Sequence, residues 1–302
     1  MQCYLFRPTL SQSASPPVPL GAIIVHTEIY QVTAPLRRTC RQLASEGFNV
    51  VIGECYHEYL PPGTVLAYDD EGTATGNRLK VTKSVVAYDG DNAAIVNAIK
   101  GVLSEVSASS TLPDGKQGAS LSPPSDPAAA LRSGLGEPLF GLGAWNGHIG
   151  TVGMCLGGHL SLRTLFVPGV CAAVCFFPTD VHQGSLGDGG DDSLDRIKGG
   201  ALCERKGEKE VTMLFGRQDG HVPEAGRAAI HGALRESGAD FQYVEVNAQH
   251  AFIRDEMSKG RYDPSITNIG FTILNEVFRR RVMLGLGSSA FVTPQPSAGP
   301  KC

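Results

Sequence analysis

Three residues have the types and the chain order that acyl transfer requires: Cys155, then Asp219, then His250. A thiolate is a strong nucleophile, but a free thiol titrates near ~8.5, so a neighbouring imidazole must generate or stabilise the charged sulfur. A carboxylate behind that imidazole orients the ring and stabilises its cation. Cys155 stands in Gly153-Met154-Cys155-Leu156-Gly157-Gly158, between the apolar run His148–Met154 and the helical pattern Gly158–Phe166. A nucleophile on a sharp strand-to-helix turn needs tiny residues two before and two after it, because strand and helix pass close together. Gly153 and Gly157 meet that need. The turn also leaves the Leu156 N–H at a helix start, free to hold an oxyanion. Composition alone produces Gly-x-Cys-x-Gly in about one chain in eight of this length, so the motif by itself also fits a glycine-rich turn with a buried cysteine. Asp219 and His250 change the balance, because each follows a strand-like run: VTMLFGRQD and FQYVEVNAQH.

The elements that must position these residues are short apolar runs at Gly21–His26, Phe48–Gly53, His148–Met154, Val170–Phe176, Val211–Phe215 and Phe241–Val246. Most are continuously apolar rather than alternating, as expected of strands covered on both faces. Helical patterns lie between them at Pro35–Ser45, Ser84–Ser104, Gly158–Phe166, Pro223–Glu236 and Ile266–Arg281. The alternation predicts an α/β fold with a mostly parallel, doubly wound sheet flanked by helices. Such sheets place their sites at the carboxyl ends of the strands, where Asp219 and His250 fall. A single domain over residues 1–286 is expected. It carries a flexible Ser-, Pro- and Gly-rich insertion at about 106–146, and a disordered tail occupies 287–302. Gly184–Asp192 reads as a further flexible loop.

Composition narrows the function. The 302 residues carry a net charge of −4, which gives no general attraction to nucleic acid or anionic lipid. No apolar run is long enough to predict a bilayer span, and the N-terminus does not read as a secretory leader, so neither is expected. Its 8 scattered cysteines suit free thiols in a reducing compartment, so a cytoplasmic location is expected. Cys55-Tyr56-His57 and Cys171-x-x-x-Cys175 lack metal-ligand spacing, and no P-loop is present, so neither a metal nor a cofactor is expected. His148 and His159 read as structural, and Asp180, His182 and His221 as rim residues.

Through its segments NGHIGTVGMCLGG, GRQDGHVP, QHAFIR and HTEIYQV, the chain resembles the dienelactone hydrolase family of α/β-hydrolases over about Gly21–Arg281. Cysteine in a turn that more often holds serine is the discriminating feature. The resemblance implies a Cys155-His250-Asp219 triad and a thioacyl-enzyme formed from a small anionic lactone or ester. Carboxymethylenebutenolide, cleaved to maleylacetate in aromatic-compound catabolism, is the example. It implies that Glu28 contacts and helps activate the thiol, and that the Ile29 N–H joins that of Leu156 in the oxyanion hole. It further implies that Arg254 binds a substrate carboxylate, with Tyr56 nearby and Arg78 in the region of a second arginine. The partner is then a small molecule, with no nucleic acid or membrane, and the chain a monomer or homodimer. A broad carboxylesterase or thioesterase with the same triad fits the same residues. So does a non-catalytic scaffold that senses redox state through its thiol.

Overall fold

The computed structural model describes residues 1–8, 20–109, 145–203 and 207–287. Its strands are β1 (Cys3–Phe6), β2 (Leu20–His26), β3 (Asn49–Gly53), β4 (Trp145–Met154), β5 (Val170–Phe176), β6 (Glu210–Gly216) and β7 (Asp240–Val246). The helices are α1 (Ala34–Ser45), α2 (Asp70–Thr82), α3 (Val85–Ser109), α4 (Leu156–Leu165), α5 (Ser193–Lys198), α6 (Glu224–Ser237) and α7 (Pro264–Phe278). The strands form one seven-stranded sheet in the order β1-β3-β2-β4-β5-β6-β7. Only β1 is antiparallel to its neighbour; β2 to β7 run parallel. This is the α/β-hydrolase architecture expected from the pattern of apolar runs.

The reason for the continuous apolar runs is visible in the two cores. Successive strand residues point to opposite faces. Ala22 and Ile24 join Ala173, Cys175, Met213 and Phe215 on one face, covered by residues of α3, α4, α5 and α6. Ile23 and Val25 join Val152, Val174 and Leu214 on the other, covered by α1 and α7. A third cluster, with Tyr56, Tyr88, Leu79 and Leu160, fastens α2 and α3 beside the start of α4.

Three elements were not expected from the sequence: β1, α2 and α5. Residues 279–281, expected to continue the last helix, instead open a π-helical turn over Arg279–Met283. There Arg280 pairs with Glu210 and Arg281 donates to the Gly207 and Cys171 carbonyls. The Gly184–Asp192 segment is a correction to the flexible loop expected there. The Asp191 carboxylate is fully buried against Arg163 and accepts from the Ser193 hydroxyl. Of the insertion expected at about 106–146, only the ends fall in α3 and β4. Residues 110–144, and the tail from 288, lie outside the described residues.

Candidate active site

The parallel register brings His26, Gly153 and Cys175 to the same level, so the carboxyl ends of β2, β4 and β5 meet beside Cys155. Cys155 takes φ 58° and ψ −120°, a conformation that costs a non-glycine residue ~1–3 kcal/mol. Surrounding bonds hold it there. Its N–H donates to the Phe176 carbonyl (3.1 Å), and its carbonyl accepts from His159 and Thr179. A Cβ at Gly153 would strike the Gly157 carbonyl, and one at Gly157 would lie 2.5 Å from the His26 carbonyl. Glycine is therefore required at both positions. Because α4 begins at Leu156, its N–H belongs to the first turn, which has no intrahelical acceptor.

The loops after β6 and β7 are joined by Arg217 N–H to Val246 O (2.8 Å) and Gln218 N–H to Ala248 O (2.9 Å). That pairing sets Asp219 against His250. His250 Nδ1–H donates to Asp219 Oδ2 at 2.7 Å, and Asp219 Oδ1 accepts the His221 N–H at 2.8 Å. Burial works against the Asp219 anion, but the bond and charge of His250 outweigh it and hold the carboxyl below its usual range. Burial likewise opposes the His250 cation. The charge of the nearby Cys155 sulfur and the bond to Asp219 overcome that and push His250 up to about 10. Phe177 packs edge-on against the imidazole, and the His221 ring lies 4.4 Å from it, centroid to centroid. His250 and Asp219 thus form a hydrogen-bonded pair, and His250 shares one cavity with Cys155.

Glu28 and Arg254 stand at the same cavity, of about 390 Å³, which Cys155 and His250 also line. Glu28 is buried directly after β2. Burial raises its pKa, although Arg254 and His250 pull the other way. Tyr68 donates to Glu28 Oε2 (3.3 Å), and Arg254 Nη1 lies 3.9 Å from Oε1. The Arg254 guanidinium rests over the Tyr68 ring at 4.3 Å, and its buried Nε has no acceptor among the described residues. A planar cation so held can take a carboxylate from the cavity.

Known proteins resemble this chain in sequence and in fold. The dienelactone hydrolase family model matches residues 143–280. A Saccharomyces cerevisiae protein, named provisionally as a carboxymethylenebutenolidase, is 36% identical over 290 residues, spanning 95% of this chain and 89% of its own. The chain belongs to the dienelactone hydrolase family. It is accordingly a hydrolase of the carboxylic ester and lactone class. Solved structures show the same fold. A Klebsiella pneumoniae protein, named provisionally as a dienelactone hydrolase, superposes with a TM-score of 0.60 at 21% identity, covering 92% of each chain. Thermogutta terrifontis esterase 2 phosphorylated by paraoxon superposes with a TM-score of 0.53 at 18% identity, covering 95% of this chain and 90% of its own.

The other residues anticipated for this hydrolase are divided. Ile29 lines the cavity, in a tight turn closed by Gln31 N–H to Glu28 O at 3.2 Å. Glu28 is at the cavity, and its described partners are Tyr68 and Arg254. Tyr56 needs correction. It is fully buried and donates to the Gly76 carbonyl, so it forms the packing behind the wall and does not line the cavity. Arg78 also needs correction. It lies on the exposed side of α2, whereas Asn77 and Lys80 face the cavity. Asp180 and His221 do line the cavity; His182 packs against Gly226 instead. His159 is structural as expected, hydrogen-bonded to Thr179 O and Ser193 Oγ.

Sequence reading missed Tyr68, Lys80, Lys259 and Arg261, all of which line the cavity. Lys80 pairs there with Asp180 at 2.9 Å. It also missed a second cavity of about 340 Å³, lined by Leu36, Met154, Ile253 and Phe271, that shares Glu28 and Arg254 with the first. His57, Glu58 and Asp91 cluster closely enough to hold a metal ion. A cation already occupies their midst: Lys83 Nζ is fully buried, 2.7 Å from Glu58 and 2.6 Å from Asp91, and donates to the Cys55 carbonyl. The described cysteines are all free thiols, and no described helix is long and apolar enough to cross a membrane.

Proposed function

We propose that this enzyme hydrolyses a small anionic ester or lactone through a thioacyl intermediate on Cys155. The observation that carries the reading is that Cys155 and the Asp219-bonded His250 line one cavity together with Arg254. His250 takes the thiol proton, and Asp219 stabilises the resulting imidazolium. The sulfur attacks the acyl carbon, and the N–H groups of Leu156 and Ile29 hold the developing oxyanion. Collapse breaks the bond to the leaving oxygen, which receives the proton from His250. Water then adds to the thioester, giving its proton to His250, and the acid leaves as the thiol re-forms. Glu28, with its raised pKa and its place beside His250 and Arg254, assists proton exchange at the thiol. Arg254 takes the substrate's carboxylate, and a carboxymethylenebutenolide is the natural first trial.

The test is a screen of carboxylated and neutral lactones and esters on wild type and Cys155→Ser in parallel, with mass spectrometry of the trapped enzyme. Wild type should turn over and carry an acyl mass on the Cys155 peptide. The serine variant should lose at least ~100-fold in kcat, because a seryl oxygen is far harder to ionise in a site built around sulfur. A serine variant of near wild-type rate, or an acyl mass elsewhere, refutes the assignment.

A further inference from the structure

Beyond Arg254, the cavity has a second positive feature that the proposed reaction leaves unused. It lies on the segment between β7 and α7. That segment folds back sharply, with Met257 at φ 44°, Lys259 at φ 52° and Gly260 at φ 76°. Asp263 N–H closes its base on the Phe252 carbonyl at 3.0 Å, and Arg261 N–H donates to Ser258 O at 3.1 Å. Two strained non-glycine residues in one turn need a structure that holds them, and such strain gathers where side chains must be aimed.

The aim here sorts charges. Of the acids of the segment, Asp255 and Glu256 turn outward to Arg38, and Asp263 caps α7 through the Ile266 N–H. The segment's bases, Lys259 and Arg261, turn to the cavity. Lys259 reaches only the fully exposed Asp70, at 3.7 Å. The Arg261 guanidinium has no acceptor among the described residues, and its charge is felt at His221 beside His250. Within the cavity, Lys80 is matched by Asp180 and Arg254 by Glu28. Lys259 and Arg261 are the surplus, in a chain whose net charge is −4. A locally positive mouth on a negative protein concentrates anions at that spot.

We infer that Arg261, with Lys259 beside it, is a second anion-binding locus, and that the preferred substrate is an ester or lactone whose acyl part bears two carboxylates. One carboxylate rests on Arg254 at the base, the other on Arg261 at the mouth. This rests on the hydrolytic reading for its reaction but not for its binding, and the test separates the two. Three p-nitrophenyl esters serve as probes: butanoate, glutarate with one free carboxylate, and tricarballylate with two. Tricarballylate binding is measured alongside by calorimetry.

Wild type should rank the esters by carboxylate number in kcat/KM. Arg261→Gln should lose about tenfold on the tricarballyl ester, stay within about twofold on the butanoate, and bind tricarballylate about tenfold more weakly. Arg261→Lys should recover part of each loss, which a merely structural arginine would not do. If no ester is cleaved yet Arg261→Gln weakens tricarballylate binding, hydrolysis is the part that fails. If Arg261→Gln matches wild type on all three esters and in tricarballylate binding, the second locus is refuted.

Discussion

Replacing Asp219 by Asn keeps the shape of the residue and removes its charge, and the surrounding bonds dictate how the site responds. Asp219 Oδ1 accepts the His221 N–H at 2.8 Å, so the amide oxygen of an asparagine stays there and its NH2 turns to His250 Nδ1. An amide donor facing Nδ1 makes that nitrogen the acceptor. The ring proton must then sit on Nε2, the nitrogen left to face the sulfur, and the ring can no longer accept from the thiol. Two losses combine. The charge-assisted bond at 2.7 Å to a fully buried carboxylate is worth ~1.5–3 kcal/mol, or about 10- to 150-fold in rate. The inverted tautomer adds to that, so kcat should fall by about 10²- to 10⁴-fold. The assay is kcat against pH on any turned-over ester, with the iodoacetamide labelling rate of Cys155 and NMR titration of His250. The ring should titrate well below the wild-type value of about 10. Stability carries the same signature. His250 binds its proton more tightly folded than unfolded. Its contribution is therefore full below pH ~6.5 and is lost as pH rises through about 10. Asp219→Asn should flatten that alkaline decline. A loss of less than fivefold in kcat, with His250 still titrating near 10, refutes the reasoning.

Gly157→Ala should destabilise the fold by about 2–3 kcal/mol and abolish turnover, because its methyl would stand 2.5 Å from the His26 carbonyl and 2.9 Å from that of Thr27; an unchanged urea midpoint would contradict the close approach. For Asp191, burial opposes ionisation, but His159 and Ser193 overcome it and hold the carboxyl far below its ordinary 3.8. Its stabilisation is thus present above pH ~3.8 and lost as pH falls further, so Asp191→Asn should cost ~3–5 kcal/mol at pH 7 and progressively less in acid. Urea melts at pH 7 and 3.5 check this, and equal midpoints for variant and wild type at pH 7 would count against it.

The sheet was legible because its strands from β2 onward are buried on both faces, which writes the burial into composition as continuous apolar runs. β1 lacks that signature: it is a four-residue antiparallel edge with three of its residues only half-buried. α2 was hidden for another reason. Its sequence DEGTATGNRLKVT has two glycines and little amphipathicity, and it is a helix because Asp69 caps it through Gly72 N–H at 2.7 Å and tertiary packing holds it. Gly76 touches the Ile29 carbonyl, where a methyl would lie 2.6 Å away. Reading that stretch as a loop removed the means to tell Arg78 from Lys80, since facing is decided by helical phase. The placement of Cys155, Asp219 and His250 at the carboxyl edge of the sheet was legible because each lies just beyond the end of a strand. Tyr68, Lys259 and Arg261 come from irregular backbone, where no period announces which side chain points inward.

The buried Lys83 ammonium fastens the α2–α3 corner to the segment after β3. Its own carbonyl accepts the Asp188 N–H at 2.9 Å. The cavity wall bearing Thr73, Asn77 and Lys80 is therefore anchored at a point that borders no substrate. A substitution that removed this anchor would free that wall to tilt while the sulfur, imidazole and carboxylate keep their places. Screens for new substrate preference that vary only the residues facing the chamber would overlook it.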